Sequence, residues 1–428
     1  MGTFYSGPKP LQIFFNYGNY FLVELDSMNF HEGSTATGKI SFTLNRNTPP
    51  ISVFISIIGY EWVMWKKRVK SGKSSRLVTY QDHACCWNQK FKIMQANESF
   101  VPGQYSYPFS FQVPVGIPGT YAHGSGSQHS NRAECSCTYS LYAELCTDGP
   151  SGSDMIGRSL APLVVMQQAR TPYNYDMESK IQKGITTWCW ANRGKLNIKS
   201  VFEKDVVRMD EWVHINFSID NSDCKNGIEK IRAVLKRKLQ LKTLNGLTTY
   251  RDQPMVSLPL PGCGAGEKLE NKVVQFNLNE VMDTGTPANL SGALGEFAGK
   301  VQQTCNGSLI NVSYELHIIV DMDGCMWYES NPFVYTPIEI LAPERMIVFQ
   351  AYSVPLPDYQ GDPYQQQMPP PPYGAPQNSQ MPIQGDPGQM SNPVPQKQEY
   401  QSSPVKQQTK VIQKQVDETP VDDQEESD

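Results

Sequence analysis

The chain has 428 residues, 39% of them hydrophobic and 18% charged, with a formal net charge of −5. That is enough for two ordinary domains and a polar appendage, and the mild acidity argues against general nucleic-acid binding. No apolar run has the length of a membrane span, and the first residues, MGTFYSGPKPLQIFF, lack the regions of a secretory signal.

The start, Met1-Gly2-Thr3-Phe4-Tyr5-Ser6, fits the loose pattern for myristoylation of Gly2, although the aromatic pair Phe4-Tyr5 weakens the match. One acyl chain would give only marginal membrane binding. Short alternating runs follow: Leu11 to Tyr17, Phe21 to Leu25, Ile40 to Leu44 and Val53 to Ile57. Turn residues separate them at the spacing of all-β domains.

Next comes WKKRVKSGKSSR, which concentrates Lys66, Lys67, Arg68, Lys70, Lys73 and Arg76. Its Ser-Gly reads as the loop of a hairpin. The cations suit phosphorylated cargo tails or acidic lipid headgroups, and equally a solvated loop. Residues 102–121, PGQYSYPFSFQVPVGIPGTY, are apolar at every odd position from Tyr105 to Ile117. This period of two predicts a strand with one face in a core. Pro108 and Pro114 cannot donate to a ladder and suit an edge or a strand exit.

A Gly/Ser/His-rich loop, AHGSGSQHSNRA, then leads to two strands, CTYSLYAEL and SLAPLVVMQ. A constant offset of 175 relates Tyr139-Ser140-Leu141 to Tyr314-Glu315-Leu316, Asp148-Gly149 to Asp323-Gly324, and Ile40-x-Phe42 to Ile215-x-Phe217. One offset at both ends of a unit indicates a duplicated domain. The middle fits less well: Ile228–Leu241 matches Ile51–Trp62 only in alternation, with a shift of register. Adding 175 to the stretch from Tyr105 lands on residues without alternation. The second unit has therefore shortened or lost that strand, with VVQFNLNEV as its nearest counterpart. NLSGALGEFAGKV, 289–301, reads as a loop or short helix. We place the domains at 1–173 and 174–345, and a disordered Pro/Gln-rich tail at 346–428, which is too poor in apolar residues to offset its ordering entropy.

The ten cysteines form no paired CxxC, so free buried thiols are expected rather than disulfides or zinc. His123 and His129 have no cysteines at zinc spacing. Gly262 to Gly266 lacks the GKS or GKT of a phosphate loop. No GxSxG or HExxH is present. We expect no catalytic residues, no metal, no cofactor and no enzyme.

The tail carries Pro370-Pro371-Pro372-Tyr373, a PPxY, and upstream Leu356-Pro357-Asp358-Tyr359, an LPxY. Proline-rich segments are already extended, so they dock in the aromatic groove of a WW domain with little ordering cost. Fourteen positions apart, they lie within ~43 Å of each other at ~3.1 Å per residue, and linked sites gain by effective concentration.

Together, the proline-bounded YPFSFQVPVGIPGTY, the second-unit INVSYELHIIV with TPIEI, and the PPxY resemble the α-arrestins, the arrestin-domain-containing adaptors. The resemblance implies an all-β fold of two tandem arrestin-like (immunoglobulin-like) β-sandwiches. It implies binding of membrane-protein cargo such as receptors and transporters. It also implies recruitment of WW-domain HECT ubiquitin ligases through Pro370, Pro371 and Tyr373, and through Leu356, Pro357 and Tyr359. Lys397, Lys406, Lys410 and Lys414 are expected as ubiquitin acceptors, on the accessibility expected of such a tail alone. The expected location is cytoplasmic, with recruitment to plasma membrane and endosomes, and an acidic membrane surface is a further partner. An arrestin-fold sorting-coat subunit, or an anion- or lipid-binding module without a ligase, are the alternatives.

Overall fold

Period-two alternation becomes twenty strands and no α-helix among the described residues of the computed structural model. These are 14–15, 18, 20–27, 29–71, 74–124, 133–149, 152–169, 173–187, 191–283, 299–324 and 331–343. The chain divides into two units, Met1–Val354 and Pro355–Asp428. Both WW-ligand motifs, the tail lysines, Gly2 and the segment 289–298 lie outside the described residues.

The first domain holds β1 (Phe14–Phe15), β2 (Tyr20–Leu25), β3 (Asn29–His31), β4 (Thr35–Leu44), β5 (Ile51–Ser71), β6 (Ser74–Gln95), β7 (Gly103–Gln112), β8 (Tyr121–Gly124), β9 (Ala133–Gly149) and β10 (Gly152–Met166). One sheet has the order β2-β4-β7. The other runs β1-β10-β9-β5-β6, with β3 parallel to the end of β10 and β8 antiparallel to β9. Alternate residues of β4 face inward: Ala36, Ile40, Phe42 and Leu44 are all buried. Phe42 meets Phe21, Tyr105 and Tyr107 with ring centroids 6.2, 5.4 and 6.0 Å away. Such pairs add roughly 0.5–1.5 kcal/mol each beyond area burial.

The second domain repeats this plan with β11 (Tyr175–Thr187), β12 (Ala191–Lys204), β13 (Val206–Arg208), β14 (Trp212–Asp220), β15 (Ile228–Lys242), β16 (Thr248–Cys263), β17 (Lys268–Asn277), β18 (Cys305–Asn306), β19 (Ile310–Met322) and β20 (Phe333–Leu341). Its sheets are β11-β12-β14-β17 and β13-β20-β19-β15-β16, with β18 on β19. Strand for strand, β13 lies parallel on β20 as β3 does on β10, and β18 joins β19 as β8 joins β9.

Two readings of the sequence change here, and a third gains its size. The alternation from Tyr105 overstates the strand, because β7 ends at Gln112 and Val115 is 74% exposed. Pro114 gives no ladder donor, and Gly116 has φ +88°, a left-handed turn that a side chain resists. Pro108 stays in the ladder opposite Lys39, on the free edge of its sheet. The second domain has not lost the strand, since β17 pairs with β14 as β7 does with β4 and is equally ten residues long. It simply falls earlier in the chain: Ile40 pairs with Tyr107, Ile215 with Val274. The poor match in the middle is a shift of three residues, for Ile55 opposes Ala143 while Ala233 opposes Ile318.

Candidate functional site

Two strands break their own pattern. In β5 the inward positions read Ile51, Val53, Ile55, Ile57, Gly59, Glu61, Val63, Trp65. In β15 they read Ile231, Ala233, Leu235, Arg237, Leu239, Leu241. Each strand thus buries one charge among apolar neighbours: Glu61 and Arg237 are both 1% exposed. Burying a charge is costly unless it is paired and hydrogen-bonded, and both are satisfied at the seam between the domains.

Glu61 of the first domain receives a turn of the second. One carboxylate oxygen accepts Ser308 N–H and Oγ–H, each at 2.9 Å. The other accepts Leu309 N–H at 2.8 Å and Ile310 N–H at 3.0 Å. The carboxylate lies so close to Gly307 that a Cβ there would stand 2.2 Å from one of its oxygens. Glycine is needed at 307 for that approach.

The preceding residues stitch the same seam with amide side chains. Gln302 accepts Ala122 N–H at 2.9 Å and donates to Ala122 O at 2.6 Å, mimicking a strand partner for β8. Gln303 accepts Gln167 N–H at 3.0 Å and donates to Thr120 O at 3.0 Å and Val165 O at 2.9 Å. The duplication marks the seam too. Tyr139 donates to Pro118 O at 2.5 Å and its repeat mate Tyr314 donates to Gln302 O at 2.8 Å, so each tyrosine pins the segment leading into β8 or β18.

Arg237 pairs with buried Asp283, donates to Gln253 Oε1 at 2.6 Å and reaches His123 Nδ1 of the first domain at 3.2 Å. A guanidinium has no acceptor, so His123 accepts at Nδ1 and its proton sits on Nε2. Burial first, then the charges of Arg237 and Arg251, lower the His123 pKa to about 3. His123, at the start of the Gly/Ser/His-rich segment, is thus a neutral seam residue on β8 rather than in a loop, while 125–132, with His129, lie outside the described residues. The described cysteines are all free. Cys86 and Cys137 each donate to the Tyr139 hydroxyl at 3.5 Å. Cys137 is buried and desolvation raises its pKa, which disfavours the reactive thiolate.

The basic run is not a loop. β5 continues through Lys66, Lys67, Arg68 and Lys70 to Ser71, and β6 begins at Ser74 and carries Arg76. Only 72–73, with Lys73, lie outside the described residues. β9 pairs with β5 as far as Trp65, and beyond it β5 and β6 pair only with each other among the described residues. A polar hollow elsewhere is lined by Arg232, Asp321 and Asn331, and Arg232 makes two 2.8 Å bonds to Asp321 there.

Of the sequence-derived site residues, the structure brings together five cations of the basic run. Glu61, Arg237, Asp283, Gln302 and Gln303 were not singled out from sequence, and His123 was weighed there only as a zinc ligand. The available signal was a charge at an inward position of an alternating strand, which held for Glu61 and Arg237 alone.

The family model described as the N-terminal domain of arrestin (or S-antigen) matches residues 21–149, and that described as the C-terminal domain matches residues 192–345. No match was found among the curated proteins. The two matched spans cover more than half of the chain and coincide with the repeated sandwiches that Glu61, Gln302, Gln303 and Arg237 fasten together, and the chain accordingly belongs to the arrestin-domain family.

Proposed function

We propose that this protein is a cytoplasmic trafficking adaptor that holds membrane-protein cargo on its arrestin domains and recruits WW-domain HECT ubiquitin ligases through its tail. The family's role as a trafficking or signalling adaptor supports the coarse part of this reading. One observation carries the finer part: a pair of arrestin domains shares its chain with Pro370-Pro371-Pro372-Tyr373. An adaptor needs a rigid platform for one partner and an extended ligand for another, and a proline-rich motif provides the second at low ordering cost. Leu356, Pro357 and Tyr359 add a second WW ligand in reach of tandem domains. Recruitment to plasma membrane and endosomes follows from the cargo.

The test is a pulldown of the full chain with isolated WW domains. Wild type binds and Tyr373→Ala loses most binding. Equal binding by both, or by neither, removes the ligase reading and leaves a sorting-coat subunit as the better one.

A further inference from the structure

We propose that the two-stranded ribbon formed by the far ends of β5 and β6 is a contact for the anionic surface of a lipid bilayer. The run from Lys66 to Thr79, KKRVKSGKSSRLVT, contains no carboxylate. Among the described residues, none of Lys66, Lys67, Arg68, Lys70 and Arg76 has a carboxylate partner, and Arg68 bonds only the Ser75 hydroxyl, at 3.1 Å. The nearest acid on β6, Asp82, is engaged on Leu244 N–H at 2.8 Å. Six residues of β5 extend past Trp65, a reach of about 20 Å at ~3.4 Å per residue.

Register decides the kind of partner. Lys66, Arg68 and Lys70 oppose Thr79, Leu77 and Ser75 on one face; Lys67 and Val69 oppose Val78 and Arg76 on the other. The cations therefore diverge onto both faces. A site for one phosphate or one phosphopeptide needs donors that converge. A field of anionic headgroups can meet both faces at once. Leu77 is 45% exposed beside the cations, so an apolar group is available to the boundary between headgroups and acyl chains. This inference is independent of ligase recruitment.

The experiment is co-sedimentation of the full chain with phosphatidylcholine vesicles with and without 30% phosphatidylserine. Each Lys or Arg near an anionic leaflet is worth roughly a fivefold change in partitioning. Lys66→Gln/Lys67→Gln/Arg68→Gln should therefore weaken binding to serine-containing vesicles about 100-fold, and Lys70→Gln/Arg76→Gln, a second variant should the first misfold, roughly 25-fold. Wild-type binding should fall steeply with added salt and be absent on pure phosphatidylcholine. Tyr373→Ala should bind vesicles like wild type. The proposal is overturned if wild type ignores serine-containing vesicles, or if folded variants sediment like wild type. It is equally overturned if a phosphorylated acidic peptide, measured by anisotropy, depends on these cations while vesicles do not.

Discussion

Replacing Glu61 with alanine should loosen the two arrestin domains from one another more than any comparable deletion in either core. The carboxylate accepts four hydrogen bonds across the seam, three of them from backbone N–H groups at 308–310. A buried donor left without its acceptor costs about 1–3 kcal/mol, so three would cost roughly 3–9 kcal/mol if none recovered. Alanine also removes the cost of burying the carboxylate, and water entering the vacated space satisfies part of what is lost. Deleting one side of a buried charged contact typically nets about 3–5 kcal/mol, and we expect that range. It corresponds to an opening equilibrium raised by roughly 10²–10³-fold or more, since 1.4 kcal/mol is tenfold. Glu61→Gln keeps one acceptor oxygen, and the Ser308 hydroxyl can rotate to accept from its amide. It should cost less, about 1.5–3 kcal/mol. The assay is native-state hydrogen exchange at Leu309 and Ile310, with peptides of the β4 and β14 cores as controls. Acceleration at the seam, larger for Ala than for Gln, while the cores stay protected, is the expected result. Unchanged exchange at 309–310 in Glu61→Ala would refute the reasoning.

Gly307→Ala places a methyl group against the Glu61 carboxylate; it should destabilise wild type yet cost less in Glu61→Ala, with at least ~1 kcal/mol of coupling in a double-mutant cycle. Arg237→Met takes away the buried cation that pairs with Asp283, for a loss of about 3–5 kcal/mol, and adding Asp283→Leu should return most of it, read by thermal melting. His123 is held neutral in the fold, with a pKa near 3 against 6.5 unfolded. The unfolded chain therefore binds a proton first, and stability should fall as pH drops from about 6.5 towards 3, at up to ~1.4 kcal/mol per pH unit. His123→Asn should flatten that slope by about one proton in denaturant titrations at pH 7, 5.5 and 4.5, and an unaltered slope would count against the buried neutral histidine.

Much of the fold was legible because a sandwich writes its faces into alternate residues. Ile40, Phe42 and Leu44 announce β4, and the 175-residue offset announces its repeat in β14. Alternation misled where it ran past its strand: Val113, Val115 and Ile117 keep the rhythm, but Pro114 and Gly116 turn the chain and leave Val115 in solvent. The basic run was found from its charge alone, yet read as a loop, because serine and glycine at 71–72 carry a turn signal and the flanking cations carry no strand signal. Its extent as a ribbon depends on cross-strand pairing from Lys66 to Ser71, which short-range patterns do not report.

The sequence alone determined the two sandwiches, their duplication and the candidate ligands in the tail, since periodicity, proline spacing and repeated words are local properties. Only the tertiary structure decided how the two copies are joined. Glu61 meets Leu309 across 248 positions and Ala122 meets Gln302 across 180. Each looks locally like a misplaced polar residue. A buried charge or amide is tolerable only where distant backbone supplies its partners, and that supply exists only after both domains have folded and met.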